Sequence, residues 1–222
     1  PVQRVSGQAG LGLSRAAAVQ PKRIGVFGGS FDPPHNAHVA LARAALEQCE
    51  LDVLHVIPTG HAWHKARALS SSEHRLAMAR LAFGNLARVV VDARELERPG
   101  PTFTIDTLKA LQAENPGCQL YLFIGADQFA SFGQWHDWRE ILEIAIICIA
   151  DRTESALTQT EFDIYAPHHH RFLILKLPLM PLSATQIRQM MASSAATAEE
   201  ARKLVPGAVA RYISYHHLYG PG

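Results

Sequence analysis

Gly28-Gly29-Ser30-Phe31-Asp32-Pro33-Pro34-His35-Asn36-Ala37-His38 follows an apolar run over residues 23–27 and precedes a stretch of helical period through Val39, Leu41, Ala42, Ala45 and Leu46. Strand, glycine loop and helix in that order describe the opening unit of a parallel sheet flanked by helices. The two glycines let backbone N–H groups approach phosphate oxygens closely. They are also what a tight strand-to-helix turn requires, so the loop alone does not establish phosphate binding. It has neither the lysine of a Walker loop nor the three-glycine dinucleotide fingerprint, and neither of those mechanisms applies.

Outward from this unit the alternation continues. Residues 52–57, 89–91, 119–124, 144–149 and 172–177 read as strands. Ser70 and Glu73 have the spacing of a capping box, predicting a helix through Leu76, Ala79, Leu81 and Ala82. Residues 104–114 read as a helix ending before Pro116-Gly117. Another starts at Ser183 with Ile187, Met190 and Met191 facing inward, and a last one lies between Pro206 and Tyr215. The fold class is therefore α/β: a Rossmann-like doubly wound, mostly parallel sheet with helices on both faces. Ligands of such sheets sit beyond the carboxyl ends of the strands, at the switch point.

The chain has 222 residues, enough for one large domain, with 48% hydrophobic and 18% charged content typical of a globular protein. Residues 1–21 are expected to be a disordered extension. Residues 22–219 form a single domain, with residues 183–219 as its helical C-terminal part. A net charge of +1 gives no general attraction to nucleic acid or to an anionic membrane. Phosphate binding must therefore be local. Cys49, Cys118 and Cys148 are too scattered for a disulfide framework or a zinc cluster, which fits reduced thiols and a cytoplasmic location. The apolar stretch over residues 141–150 is too short to cross a bilayer, contains Glu143, and reads as a buried strand. His168-His169-His170 is read as an exposed loop, because consecutive residues do not converge on one ion and no Cys or carboxylate cluster lies near them. No metal site is assigned.

His35 and His38, three residues apart at a helix start, can face the same way toward an anion. Leu182-Ser183-Ala184-Thr185-Gln186-Ile187-Arg188 supplies a comparable group: two hydroxyls beside the unpaired N–H groups of a helix start, and a guanidinium one turn later. The first string resembles the glycine turn and His-x-Gly-His signature of the nucleotidylyltransferase superfamily, with Ala37 in place of the usual glycine. The second resembles that superfamily's Ile-Ser-Ser-Thr-x-Ile-Arg motif.

Three further segments resemble bacterial nicotinate mononucleotide adenylyltransferases. Ile57-Pro58 through His64-Lys65 is similar to a Pro-x-x-x-x-Pro-His-Lys segment, with Trp63 where proline is common. Pro101-Thr102-Phe103-Thr104-Ile105-Asp106-Thr107-Leu108 is similar to Pro-Ser-Tyr-Thr-x-x-Thr-Leu, with Phe103 for tyrosine. Ile124-Gly125-Ala126-Asp127, followed by Phe132 and Trp135, is similar to Ile-Gly-x-Asp with its later Phe-x-x-Trp.

The resemblance implies transfer of the adenylyl group of ATP to nicotinate mononucleotide, with magnesium entering with ATP. It implies His35, His38, Lys65 and Arg188 as catalytic residues. ATP would be met by Gly28, Gly29, Ser30, Phe31, His35, His38, Gly125, Asp127, Ser183, Thr185 and Arg188. The mononucleotide would be met by Ser30, His64, Lys65, Thr104, Asp127, Trp135 and His136, with Trp135 stacked on the nicotinate ring. Residues 183–219 would complete the ATP site. No nucleic-acid or membrane partner is expected, and a homo-oligomer is compatible with this reading. The neighbouring alternatives are nicotinamide mononucleotide or phosphopantetheine as acceptor, and Trp135, Thr104 and His64-Lys65 argue against the latter. A non-catalytic nucleotide-binding module on the same fold is the alternative of another class. Such a module should have lost His35, His38 or Arg188, and all three are present.

Overall fold

The computed structural model describes residues 20–60, 69–150, 166–178 and 180–220. Six strands, β1 (Arg23–Gly29), β2 (Val53–Pro58), β3 (Val89–Val91), β4 (Gln119–Gly125), β5 (Ala145–Ala150) and β6 (Phe172–Leu175), form one sheet in the order β3-β2-β1-β4-β5-β6. Every neighbouring pair is parallel. The winding reverses between β1 and β4, where Phe27 lies beside Phe123. The carboxyl ends of these two strands therefore flank the crevice in which such sheets bind ligands.

The central strands are apolar on both faces because helices cover both. In β4, all of Leu120, Tyr121, Leu122, Phe123 and Ile124 are buried. On one face Ile24, Val26, Leu122 and Ile124 pack against Ile105, Leu108 and Leu111 of α4 (Thr104–Glu114) and Ile141 and Leu142 of α6 (Trp138–Ile144). On the other, Phe27, Leu54, Val56 and Phe123 meet Leu41, Ala42 and Ala45 of α1 (Asn36–Gln48) and Ala79 and Phe83 of α2 (Ser72–Phe83). Burying one such side chain as fully as Phe83 contributes about 2 kcal/mol.

Short helices α3 (Arg94–Glu97) and α5 (Ala126–Phe129) follow β3 and β4. The C-terminal part is α7 (Ala184–Met191), α8 (Ala195–Lys203) and α9 (Gly207–Tyr215). Its own core, Ile187, Met191, Val205, Val209 and Ile213, closes on Met78 of α2. That contact brings the start of α7 to the end of β1.

Several elements differ from the sequence reading. The cap of α2 is Ser71, whose hydroxyl accepts the His74 N–H at 3.3 Å, rather than Ser70 paired with Glu73. Ser70 is otherwise engaged, as described below. The inner face of α2 is Arg75, Met78, Ala79 and Phe83, and Leu81 is 38% exposed. The apolar stretch over residues 141–150 is not one strand: α6 runs through Ile144 and β5 starts at Ala145. A fully buried helix end and a buried strand have the same apolar run, so periodicity does not separate them. β6 stops at Leu175, and α3 and α8 were not anticipated. His168, His169 and His170 stand in a short 3-10 segment, Ala166–Arg171, with His169 and His170 exposed. Of the expected extension, residues 1–19 lie outside the described residues, as do residues 151–165. Among the described residues no helix is long and apolar enough to cross a membrane.

Candidate active site

Gly28 and Gly29 are the last residues of β1, and the turn itself is made by Phe31 at φ 46°. A side chain at Gly28 would project into open space, so its absence keeps the crevice wide. The Phe31 ring is 1% exposed and packs edge-on against Phe27 and Phe83, each at 5.4 Å between centroids. The Phe31 side chain, expected to meet ATP, is instead taken up in that packing and is not part of the pocket lining described below.

His35 is the N-cap of α1 and is 1% exposed. Its N–H donates to Nδ1 of His38 at 3.1 Å, and the two rings stack with centroids 3.6 Å apart. Phe27 and Phe31 border His38 at 5.9 and 5.3 Å, so the second imidazole is fixed from three sides. The start of α1 is less available to an anion than its position suggested. The Asn36 N–H donates to the Leu204 carbonyl at 2.9 Å, and the Asn36 side chain donates to the Lys203 carbonyl at 3.0 Å. Those donors dock the C-terminal helices.

Asp32, which the sequence reading left without a role, joins the two halves of the site. It is 0% exposed. Oδ1 accepts the Tyr219 hydroxyl at 2.6 Å and Oδ2 accepts the Ser70 N–H at 3.4 Å. Its backbone carbonyl accepts Arg188 Nη1 at 2.6 Å. Arg188 Nη2 also donates to Thr185 Oγ1 at 3.0 Å, one turn earlier on α7. Ser183 caps α7 as expected, accepting the Gln186 N–H at 3.2 Å. The guanidinium is thus held from its own helix and from the β1 loop at once.

Arg75 was also missed. Its side chain donates to the carbonyls of Ser30 at 3.2 Å, Thr59 at 2.7 Å and Ser70 at 3.1 Å. One guanidinium therefore ties the exits of β1 and β2 to the entry of α2. Burial pulls its pKa down and the Asp32 charge opposes that pull. A buried cation needs such partners. The signal in the sequence was an arginine at an inward position of α2, one turn before Met78 and Ala79.

Between the ends of β1 and β4 lies a pocket of about 690 Å³. Gly28, Gly29, Ser30, Thr104, Trp135 and His136, all expected, line it, together with Phe103, Glu95, Thr107, Gln128, Ser131 and Gln134, which were not. The rings of Phe103 and His136 are 4.4 Å apart, and Trp135 leans on Phe132 at 5.5 Å. Glu95 accepts the Thr107 hydroxyl at 2.8 Å, and burial pushes its carboxyl pKa up. Gly125 closes β4, and the exposed Asp127 folds its carboxylate back over it, beside the pocket rather than in its wall. His64 and Lys65 lie outside the described residues.

Residues 26–190 match the model of the family described as cytidylyltransferase-like. A protein of Albidiferax ferrireducens named "Probable nicotinate-nucleotide adenylyltransferase" is 52% identical over 198 residues, covering 89% of this chain and 98% of that protein. One of the same name from Bordetella petrii is 42% identical over 201 residues, with 89% and 99% covered. Among solved structures, the Plasmodium falciparum nicotinic acid mononucleotide adenylyltransferase complexed with NaAD superposes with a TM-score of 0.73. It covers 89% of this chain and 97% of that one at 18% identity, a likeness that bears on the fold.

Proposed function

The chain belongs to the cytidylyltransferase-like family and, within it, to the nicotinate-nucleotide adenylyltransferases, and from that premise we propose how its residues transfer the adenylyl group of ATP to nicotinate mononucleotide. An oxygen of the mononucleotide phosphate attacks the α-phosphorus of ATP and the bond to the bridging β-oxygen breaks. Nicotinate adenine dinucleotide and pyrophosphate leave. The attacking phosphate is already anionic near neutral pH, so no general base is needed, and catalysis consists of positioning and charge neutralisation.

His35 and His38 donate toward the transferring phosphoryl group, and Arg188 and Lys65 toward the flanking phosphates. Gly28, Gly29 and Ser30 bring the backbone of the β1 exit against the nucleotide. Ser183 and Thr185 set the start of α7, and Gly125 and Asp127 meet ribose and phosphate at the end of β4. Thr104, His64 and His136 hold the mononucleotide, whose ring stacks on Trp135. Among the described residues no group of three or more His, Cys, Asp or Glu could hold a metal ion. Magnesium would enter with ATP and would supply neutralisation of the charge on its phosphates, beside Arg188 and Lys65. The thiols Cys49, Cys118 and Cys148 are unbridged, which suits a reaction in the cytoplasm.

One observation carries this reading. Arg188 of α7 donates to the carbonyl of Asp32, so the two motifs, 156 residues apart, meet at one strand end beside the pocket. The test is pyrophosphate release with ATP and magnesium while nicotinate mononucleotide, nicotinamide mononucleotide and phosphopantetheine are varied. Release with the first is expected. Strong release with another acceptor and none with the first would refute it.

A further inference from the structure

We propose that Tyr219 is a positioning residue for adenylyl transfer, acting through Asp32 on Arg188. After α9 the chain turns back through two non-glycine residues in the left-handed region, His217 at φ 50° and Tyr219 at φ 62°. Such conformations persist where the surroundings over-determine them. Here the turn delivers the Tyr219 hydroxyl to Asp32 Oδ1 at 2.6 Å, with Ser70 Oγ at 3.4 Å and Met78 Sδ at 3.9 Å. The hydrogen bond to a buried carboxylate is of the strong, charge-assisted kind.

Asp32 has little room to rotate. Its other oxygen takes the Ser70 N–H, and its own carbonyl is the acceptor for Arg188. A change at Oδ1 therefore reaches the Arg188 guanidinium across a single residue. Burial and the Asp32 charge push the phenol pKa far above its ordinary value, so the group remains a donor throughout the neutral range. Arg75, which feels the charge of both Asp32 and Tyr219, is a nearby buried cation held by the carbonyls of Ser30, Thr59 and Ser70. A residue close to the end of the chain thereby sets a phosphate-binding arginine, and the glycine loop with it.

The proposal rests on the reading of Arg188 as a phosphate ligand, so its test is a double-mutant cycle of Y219F and R188A with ATP, magnesium and nicotinate mononucleotide. Tyr219→Phe keeps the ring and removes only the donor. It is expected to lower kcat/KM for ATP about tenfold while KM for the mononucleotide stays within about twofold. In the R188A background the same change should cost less than about twofold, because the residue it acts through is gone. R188K serves as the background if R188A falls below detection. An equal loss in both backgrounds overturns the proposal, and is also what a general loss of folded protein would produce. Full activity of Y219F overturns it as well. If R188A itself retains wild-type activity, the assignment of Arg188 fails and the proposal with it. An impaired R188A beside an unimpaired Y219F removes the proposal alone.

Discussion

Nδ1 of His38 accepts the backbone N–H of His35 at 3.1 Å, and this bond decides which nitrogen of the second imidazole carries the proton. A neutral ring with an accepting Nδ1 is protonated at Nε2, so His38 is a hydrogen-bond donor toward a phosphoryl oxygen without having to be a cation. Two substitutions separate the cap from the chemistry. His38→Ala should lower kcat about 10²-fold or more, as loss of an oxyanion donor does, and destabilise α1 by about 1 kcal/mol. His38→Asn retains an acceptor for the His35 N–H. It should therefore melt near the wild type while turning over as slowly as the alanine variant. Normal turnover by either variant would remove His38 from the catalytic group.

Trp135 lines the pocket and is propped by Phe132, while His136 beside it is met by Phe103. The indole is thus supported from behind, as a stacking platform must be. Trp135→Ala should raise KM for nicotinate mononucleotide about tenfold, equivalent to roughly 1.4 kcal/mol of lost binding. KM for ATP should not move. Tryptophan fluorescence titrated with the mononucleotide in the absence of ATP gives a second reading, and a quench that survives in the variant would place the ring elsewhere.

The sheet was legible because its six strands are short apolar runs separated by helical periods, and the local structure around the candidate site was legible where its residues are close in sequence. His35 and His38 fall in one short string and Ser183 and Arg188 in another, and each string forms the helix start it implied, whereas Gly28 and Gly29 end β1 instead of making the turn. Asp32 and Tyr219 escaped because Asp32 meets Ser70 and Tyr219 from 38 and 187 residues away, and Arg75 because its acceptors are backbone carbonyls 5, 16 and 45 residues away; no spacing rule connects any of them. Glu95 and Thr107 escaped for a related reason: a buried carboxylate meeting a buried hydroxyl has no local pattern. The strand read at residues 144–149 lies within one residue of β5, but the apolar run over 141–150, read as one strand, also holds the end of α6. The cap of α2 slipped by one residue because Ser70 alone has Glu73 at capping-box spacing, while the hydroxyl that meets a helix N–H is that of the next serine, Ser71.

Gly60 follows β2 at the pocket margin, where its N–H donates to the Glu95 side chain. A Cβ at this position would collide with the Glu95 carbonyl and come within 2.9 Å of the Thr102 side chain. The first obstacle is backbone and cannot rotate away. Gly60→Ala should therefore displace the β2 exit, destabilising the fold by about 1–3 kcal/mol. It should also raise KM for the mononucleotide more than KM for ATP, since Glu95 and Thr59 line the pocket. Thermal melts and initial rates with each substrate varied in turn would show both effects. An unchanged melting temperature would mean that this contact is looser than the geometry states.

Asp92 follows β3, and its carboxylate joins three elements. It accepts from His55 of β2 at 2.9 Å, from the Arg94 N–H at 3.0 Å and from Arg94 Nε at 2.7 Å. Arg94 in turn grips Glu114 at the end of α4 with two bonds of 3.0 and 3.1 Å. Burial alone would raise the Asp92 pKa, but these donors and the Arg94 charge outweigh it and hold the carboxyl at about 2, against an ordinary 3.8. Because the folded value is the lower one, the unfolded chain binds the proton more readily. The contribution is complete above the ordinary value and is lost as pH falls through the folded one. A difference of this size corresponds to about 2 kcal/mol. In urea unfolding at pH 7, Asp92→Asn should be less stable than the wild type by about that amount. The gap should narrow as pH falls from about 4 toward 2, where the wild-type carboxylate is protonated too. A gap that stays constant over that window would show that Asp92 contributes through shape rather than charge.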